Sequence, residues 1–142
     1  IKEVIPDFDT INEKMIMPEK GKDSLEFITA FKDSLWVGTA ISSYTYQGYS
    51  GLIRVMVGFL PDGCIENVAV LEQKETPGLG TKINDDKFKH QFIGKDPRTF
   101  NLKVKKDGGD VDAITAATIS SRAYCDALQR AFNAFEKEGG KE

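Results

Sequence analysis

The sequence predicts an α+β domain: a twisted, mostly antiparallel sheet with helices packed against it. Three observations carry this. Short apolar runs occur in pairs around tight turns, as hairpins do. Within Leu52 to Leu60, Val55, Val57 and Phe59 alternate with Arg54, Met56 and Gly58, the pattern of a half-buried strand. Near the end of the chain, Ile119, Ala123, Ala127, Ala131 and Phe135 fall on every fourth position, as one face of a helix does. Strands first and helices last is the element order of an α+β layer.

The elements follow in chain order. Ile1 to Lys22 is mixed and holds Pro6 and Pro18; Ile5, Phe8 and Ile11 predict a short helical face that docks on the domain. Leu25 to Phe31 and Leu35 to Ser42 read as strands joined by Lys32-Asp33-Ser34. Leu52 to Leu60 and Cys64 to Leu71 read as a second hairpin around Pro61-Asp62-Gly63. Thr81 to Phe92 reads as a helix with Ile83, Phe88 and Phe92 inward, and Phe100 to Lys105 as a last strand. Thr115 to Glu138 is the long terminal helix, stopped by Gly139-Gly140.

A chain of 142 residues with 40% hydrophobic and 29% charged residues suits one domain with its own core. The net charge of −3, with no basic stretch, argues against a nucleic-acid partner. Cys64 and Cys125 lie far apart among apolar neighbours, outside any metal-ligand spacing. Buried free thiols fit best, and a disulfide between them stays open. His90 has no neighbouring ligand pattern and reads as a surface residue. No signal peptide or membrane span is evident in the sequence.

The most informative stretch is Asp112-Ala113-Ile114-Thr115-Ala116-Ala117-Thr118, reached through Asp107-Gly108-Gly109-Asp110. It places Thr118 in or near a first helical turn, where unpaired N–H groups and the positive dipole end favour an anion. The ordinary reading is a cap, with Thr115 accepting from the N–H of Ala117 or Thr118. A second segment, Glu75-Thr76-Pro77-Gly78-Leu79-Gly80, is a turn: proline presets φ and Gly78 supplies the positive φ of a type II turn. Its glycines leave bare backbone that a flat ring could approach. A plain surface turn is the competing reading.

Together these segments resemble the FMN-binding domain found in the G subunit of the Rnf electron-transport complex. The C subunit of the sodium-translocating NADH:quinone oxidoreductase shares that domain. The family's flavinylation motif reads Asp, two residues, Ser or Thr, Gly, Ala, Thr. Asp112, Thr115, Ala117 and Thr118 match it, and Ala116 stands where the motif has glycine. That replacement predicts a backbone position with no need of positive φ. Glu75 to Gly80, Gly48-Tyr49-Ser50-Gly51 and Gln91-Phe92-Ile93-Gly94-Lys95 also resemble family patterns, so the likeness runs from about Phe27 to Phe135.

The resemblance implies an electron-transport flavoprotein with one covalent FMN, the phosphoester falling on Thr118. It would be an electron-carrier subunit of a membrane-associated, Rnf-type ion-transport complex rather than a stand-alone enzyme. Thr115, Ala116 and Ala117 would form the small-residue turn around the phosphate. Glu75, Thr76, Pro77, Gly78, Leu79 and Gly80 would border the ring. Arg122 is placed either to offset phosphate charge or as a solvated surface arginine. Trp36, Tyr44, Tyr46 and Tyr49 are candidate stacking groups, with packing in the core or sheet the competing reading. The partners implied are the other subunits of the complex and a Mg²⁺-dependent flavin transferase that uses FAD and releases AMP. By the resemblance, residues 1–24 are an extension after a removed membrane anchor, and residues 25–138 are the FMN-binding domain on the extracytoplasmic, periplasmic side. Two other functions compete: an FMN-domain-like assembly module without flavin, and a Thr or Ser hydrolase. The hydrolase lacks a nucleophile elbow and an orienting acid for His90.

Overall fold

The computed structural model describes residues 4, 5, 7–16 and 24–139. Five antiparallel strands form one open sheet in the order of the chain: β1 (Thr10–Ile16), β2 (Leu25–Lys32), β3 (Leu35–Gly48), β4 (Gly51–Phe59) and β5 (Ile65–Glu72). A four-residue helix, α1 (Asp86–Lys89), and a long one, α2 (Thr118–Ala134), follow. The predicted α+β architecture is therefore observed, with a sheet that is wholly antiparallel.

Strand alternation sorts the core into two faces. Phe27, Ile41, Val57 and Val68 stand opposite one another across β2 to β5 and face α2. Ile28, Ala30 and Ala40 point to the other face, where Val4 and Ile5 cover them. Gly58 makes that cover possible, because a Cβ there would collide with the Val4 carbonyl. The N-terminal apolar residues thus dock as expected, but Ile11 lies in strand β1 rather than on a helix.

β3 runs six residues beyond the predicted end at Ser42. Its polar positions resemble a strand end, yet they are paired. Ser43 Oγ donates to the Ala127 carbonyl at 2.8 Å, and Thr45 Oγ1 donates to Asp126 Oδ2 at 2.8 Å. Buried hydroxyls with partners cost the strand little, and these two fasten α2 across it.

Three other elements differ from the sequence reading. Thr81 to Phe92 is not one helix: a 3₁₀ turn (Gly80–Asn84) and α1 are separated by Asp85, which is extended at φ −74 and ψ 142. Short acidic and amide side chains compete with helical backbone bonds, and Asn84, Asp85 and Asp86 are consecutive. Ile83, Phe88 and Phe92 nevertheless all point inward. Phe100 to Lys105 makes no sheet strand; its apolar alternation is met by an extended segment that folds back on itself. Val104 bridges Val111 in parallel, and Asn101 pairs with Asp110. Finally, α2 starts at Thr118, not Thr115, because Ala116 is left-handed at φ 64 and Ala117 sits at φ −142. Its far end passes into a π-helical turn, Phe135–Gly139.

Candidate functional site

Three loops meet at the start of α2. The tip of the β3–β4 hairpin brings Tyr49. The turn after β5 brings Thr76, Leu79 and Gly80. The turn into α2 brings Ala116, Ala117, Thr118, Ile119 and Ser120. These residues line one cavity of about 450 Å³, a size ordinary for small-molecule sites. Among the described residues no charged side chain lines it.

Thr118 is the first residue of α2 and half-buried in this cavity. Its hydroxyl has no hydrogen-bond partner among the described residues. The neighbouring hydroxyls are committed. Ser120 Oγ donates to Glu75 Oε1, and Ser121 Oγ donates to the Ala117 carbonyl at 2.9 Å while accepting from Ile114 N–H at 2.9 Å. Thr115 is exposed and caps nothing; the Ala117 N–H goes to the Ile114 carbonyl at 2.9 Å. No side chain caps α2, and its first backbone bond runs from Ser121 N–H to the Ala117 carbonyl. The amides ahead of Ser121 therefore remain for an anion.

Ala116, expected at negative φ, occupies the left-handed region at φ 64. The motif's glycine is thus explained by backbone conformation, and the alanine here is strained.

The Glu75 to Gly80 segment divides in two. The type II turn is present: Gly78 has φ +77 and Leu79 N–H donates to the Thr76 carbonyl at 3.0 Å. Pro77 and Gly78 form its exposed outer tip, away from the cavity lining. Glu75 lies behind the wall, only 3% exposed. Its carboxylate accepts Tyr49 N–H at 2.8 Å, Ser50 N–H at 3.0 Å and the Ser120 hydroxyl. A buried carboxylate persists when fully hydrogen-bonded. Gly80 does line the cavity, and its missing Cβ has a second cause. A Cβ there would stand 2.5 Å from Ser120 Oγ and 2.6 Å from Glu75 Cβ.

Other candidates lie elsewhere. Arg122 forms a two-point pair with Asp107, Nε to Oδ2 at 2.7 Å and Nη2 to Oδ1 at 3.0 Å. That pair holds the Asp107 carboxyl below the usual carboxylate range. Arg122 lines a different cleft, with Gln47, Lys103 and Cys125. Trp36 packs on Phe135, and Tyr44 is buried with the Arg130 guanidinium over its ring at 4.8 Å. Gln91 clamps the Asp112 backbone, its Oε1 accepting the N–H at 2.7 Å and its Nε2 donating to the carbonyl at 3.0 Å. His90 is exposed, and no metal-binding cluster exists among the described residues. Cys64 and Cys125 are free thiols. Among the described residues no helix is long and apolar enough to cross a membrane.

Ile119 and Ser120 line the cavity although the sequence does not mark them as site residues, and Ser121 braces the turn behind it. The Ile119 signal is present but resembles core, since it heads the apolar stripe of α2. Ser120 stands two residues after Thr118, in the first turn of α2, where its hydroxyl meets Glu75 of the neighbouring loop.

A family model described as "FMN-binding domain" matches residues 48–133. The chain is 42% identical over 120 residues to the G subunit of the ion-translocating oxidoreductase complex of Salmonella typhi, covering 80% of this chain and 58% of that protein. It is 42% identical over 106 residues to the like-named protein of Erwinia tasmaniensis, covering 71% of this chain and 50% of that protein. The chain thus spans about half the length of these relatives. Among solved structures, Shewanella oneidensis NqrC superposes with a TM-score of 0.62 at 22% identity, covering 96% of this chain and 74% of that one. The C subunit of the Na(+)-translocating NADH-quinone reductase from Parabacteroides distasonis gives 0.64 at 20% identity, covering 98% and 78%. At that identity the likeness shows a shared fold.

Proposed function

The chain belongs to the FMN-binding domain family, and we propose that it is an electron carrier holding one FMN through a phosphoester to Thr118. The observation that carries this is the free Thr118 hydroxyl in an uncharged cavity beside uncapped helix amides, while the hydroxyls of Ser120 and Ser121 are engaged. The residues present fit the group. The amides at the head of α2 suit a phosphate, and the apolar lining suits a flat ring. When bound, FMN supplies the redox chemistry; the chain supplies attachment, orientation and electrostatics.

Attachment joins Thr118 Oγ1 to the FMN phosphorus of FAD, breaks the pyrophosphate bond and releases AMP. A threonine hydroxyl is too weak an acid to react unaided, and among the described residues no carboxylate or imidazole lines the cavity to take its proton. The base and Mg²⁺ therefore belong to a separate flavin transferase. Thr115, Ala116 and Ala117 shape the turn that presents the acceptor. We assign the chain to a membrane-associated, ion-translocating complex of the Rnf type, with the domain on the extracytoplasmic face. The named relatives support membership of an ion-translocating complex; the extracytoplasmic placement rests on the family resemblance alone. In this reading residues 25–138 are the flavin domain, and β1 (Thr10–Ile16) completes its sheet.

The test is co-expression with a flavin transferase, followed by intact mass and peptide mapping. One FMN on the Thr118 peptide, lost in Thr118→Ala, is expected. An adduct that survives Thr118→Ala, or maps to Thr115 or Ser120, overturns the assignment. A chain that stays unmodified under conditions that load a known acceptor points to an assembly module instead.

A further inference from the structure

We propose that Tyr49 covers one face of the flavin ring, and that the buried carboxylate of Glu75 is the positioning residue that holds it there. This rests on the attachment proposed above. Tyr49 is 68% exposed, Ile119 47% and Leu79 40%. Single exposed apolar side chains are ordinary on a protein surface. These three come from separate segments, yet all line the same cavity. That convergence marks a site for something flat and apolar.

Among the described residues Tyr49 is the aromatic one of that lining. The other candidate rings are spoken for: Tyr44 by the core and Arg130, Tyr46 by an edge contact with Tyr44 at 5.5 Å, Trp36 by Phe135. An aromatic at a hairpin tip would ordinarily swing freely. Here both tip amides, Tyr49 N–H and Ser50 N–H, are held by the two oxygens of Glu75. The same carboxylate receives the hydroxyl of Ser120, two residues after the acceptor. Gly48 leaves room for this: a Cβ there would meet the Gly51 carbonyl at 2.6 Å and Glu75 Oε2 at 3.1 Å. The β3–β4 hairpin tip, the Glu75–Gly80 turn and the first turn of α2 are thus one lock. It fixes the height of a phenol ring above the turn that bears Thr118.

A tyrosine in contact with a flavin quenches its fluorescence by lending an electron to the photoexcited ring. The electron returns at once, so no net reaction follows. The experiment compares flavinylated wild type, Tyr49→Leu, Tyr46→Leu and Glu75→Gln, with flavin occupancy fixed by intact mass. Fluorescence yield is then read per flavin. Tyr49→Leu should brighten the flavin several-fold at unchanged occupancy, and Tyr46→Leu should leave it unchanged. Glu75→Gln should give an intermediate rise with Tyr49 still present. Should Glu75→Gln fail to fold, amide hydrogen exchange of the unmodified wild type supplies a second readout: Tyr49 and Ser50 should be protected. A loaded Tyr49→Leu as dim as wild type overturns the ring contact, and unprotected Tyr49 and Ser50 amides overturn the clamp. A wild type with no adduct in the mass spectrum overturns the attachment itself, and this inference with it.

Discussion

Glu75 and Ser120, 45 residues apart, meet through a buried hydrogen bond that ties the turn after β5 to the first turn of α2. With the Tyr49 and Ser50 amides on the same carboxylate, one side chain holds three loops. Replacing it removes acceptor capacity that buried donors depend on. Glu75→Gln should destabilise the fold by about 2–3 kcal/mol, read from the urea midpoint at constant m-value. Ser120→Ala should cost about 1 kcal/mol. In the double variant the two losses should fall short of their sum, since both act on one network.

Ala116 is a strained position that can be relieved. A left-handed alanine costs about 1–2 kcal/mol over an unstrained one, and glycine gives part of that back as unfolded-chain entropy. Ala116→Gly should therefore stabilise the protein by about 1 kcal/mol. An unchanged or lowered urea midpoint would count against the left-handed turn.

Two glycines of one loop should behave differently. Gly78 has φ +77, but a Cβ there meets nothing within 4 Å. Gly78→Ala should cost only the backbone penalty, about 1 kcal/mol. Gly80→Ala drives a methyl into Ser120 Oγ and Glu75 Cβ and should cost about 3 kcal/mol. Its amide resonances at Tyr49 and Ser50 should shift, while those of Gly78→Ala stay near wild type.

These glycines also show how much the sequence could tell. The hairpins, the helix-facing stripe and the turn at Gly78 are legible because period and turn chemistry are local. The purpose of Gly80 and Glu75 is not. Both resemble walls of a ring site, and both serve contacts with residues far along the chain. Ala116 misleads for the opposite reason: its identity argues for ordinary φ, but the strain of one residue is outweighed by the packing on either side. Phe100 to Lys105 has the period of a strand, and no sequence rule announces that Asn101 and Val104 pair with Asp110 and Val111 instead.

Alkaline pH should unfold the protein by a readable route. Burial pushes the Cys125 thiol up to about 12 and raises the Tyr124 phenol as well. Both groups keep their protons in the folded state after the unfolded chain has released them. Stability contributed this way is intact below the unfolded pKa, about 8.5 for cysteine, and falls as pH rises beyond it. The loss is about 1.4 kcal/mol per pH unit for each group, starting near pH 9 for Cys125 and above about pH 10 for Tyr124. Cys125→Ala should flatten the first part of the profile. Tyr124→Phe should flatten the second, and at neutral pH it should be tolerated, because the Tyr124 hydroxyl has no partner to lose.

The order of the sheet bears on the order of assembly. Each strand pairs with its predecessor in the chain, so the meander can zip up through local hairpins. Helix α2 must come back across the sheet to reach β3, as the Ser43–Ala127 bond spans 84 residues. Closing the 45-residue span from Glu75 to Ser120 costs about 3 kcal/mol in loop entropy alone. We expect the cavity to be the last part of the molecule to form. φ-values should be high in the β3–β4 hairpin and low in α2. A half-made chain would carry Thr118, the acceptor proposed above, with no wall opposite it, so a modifying enzyme that reads the shape of the cavity would be proofreading the fold.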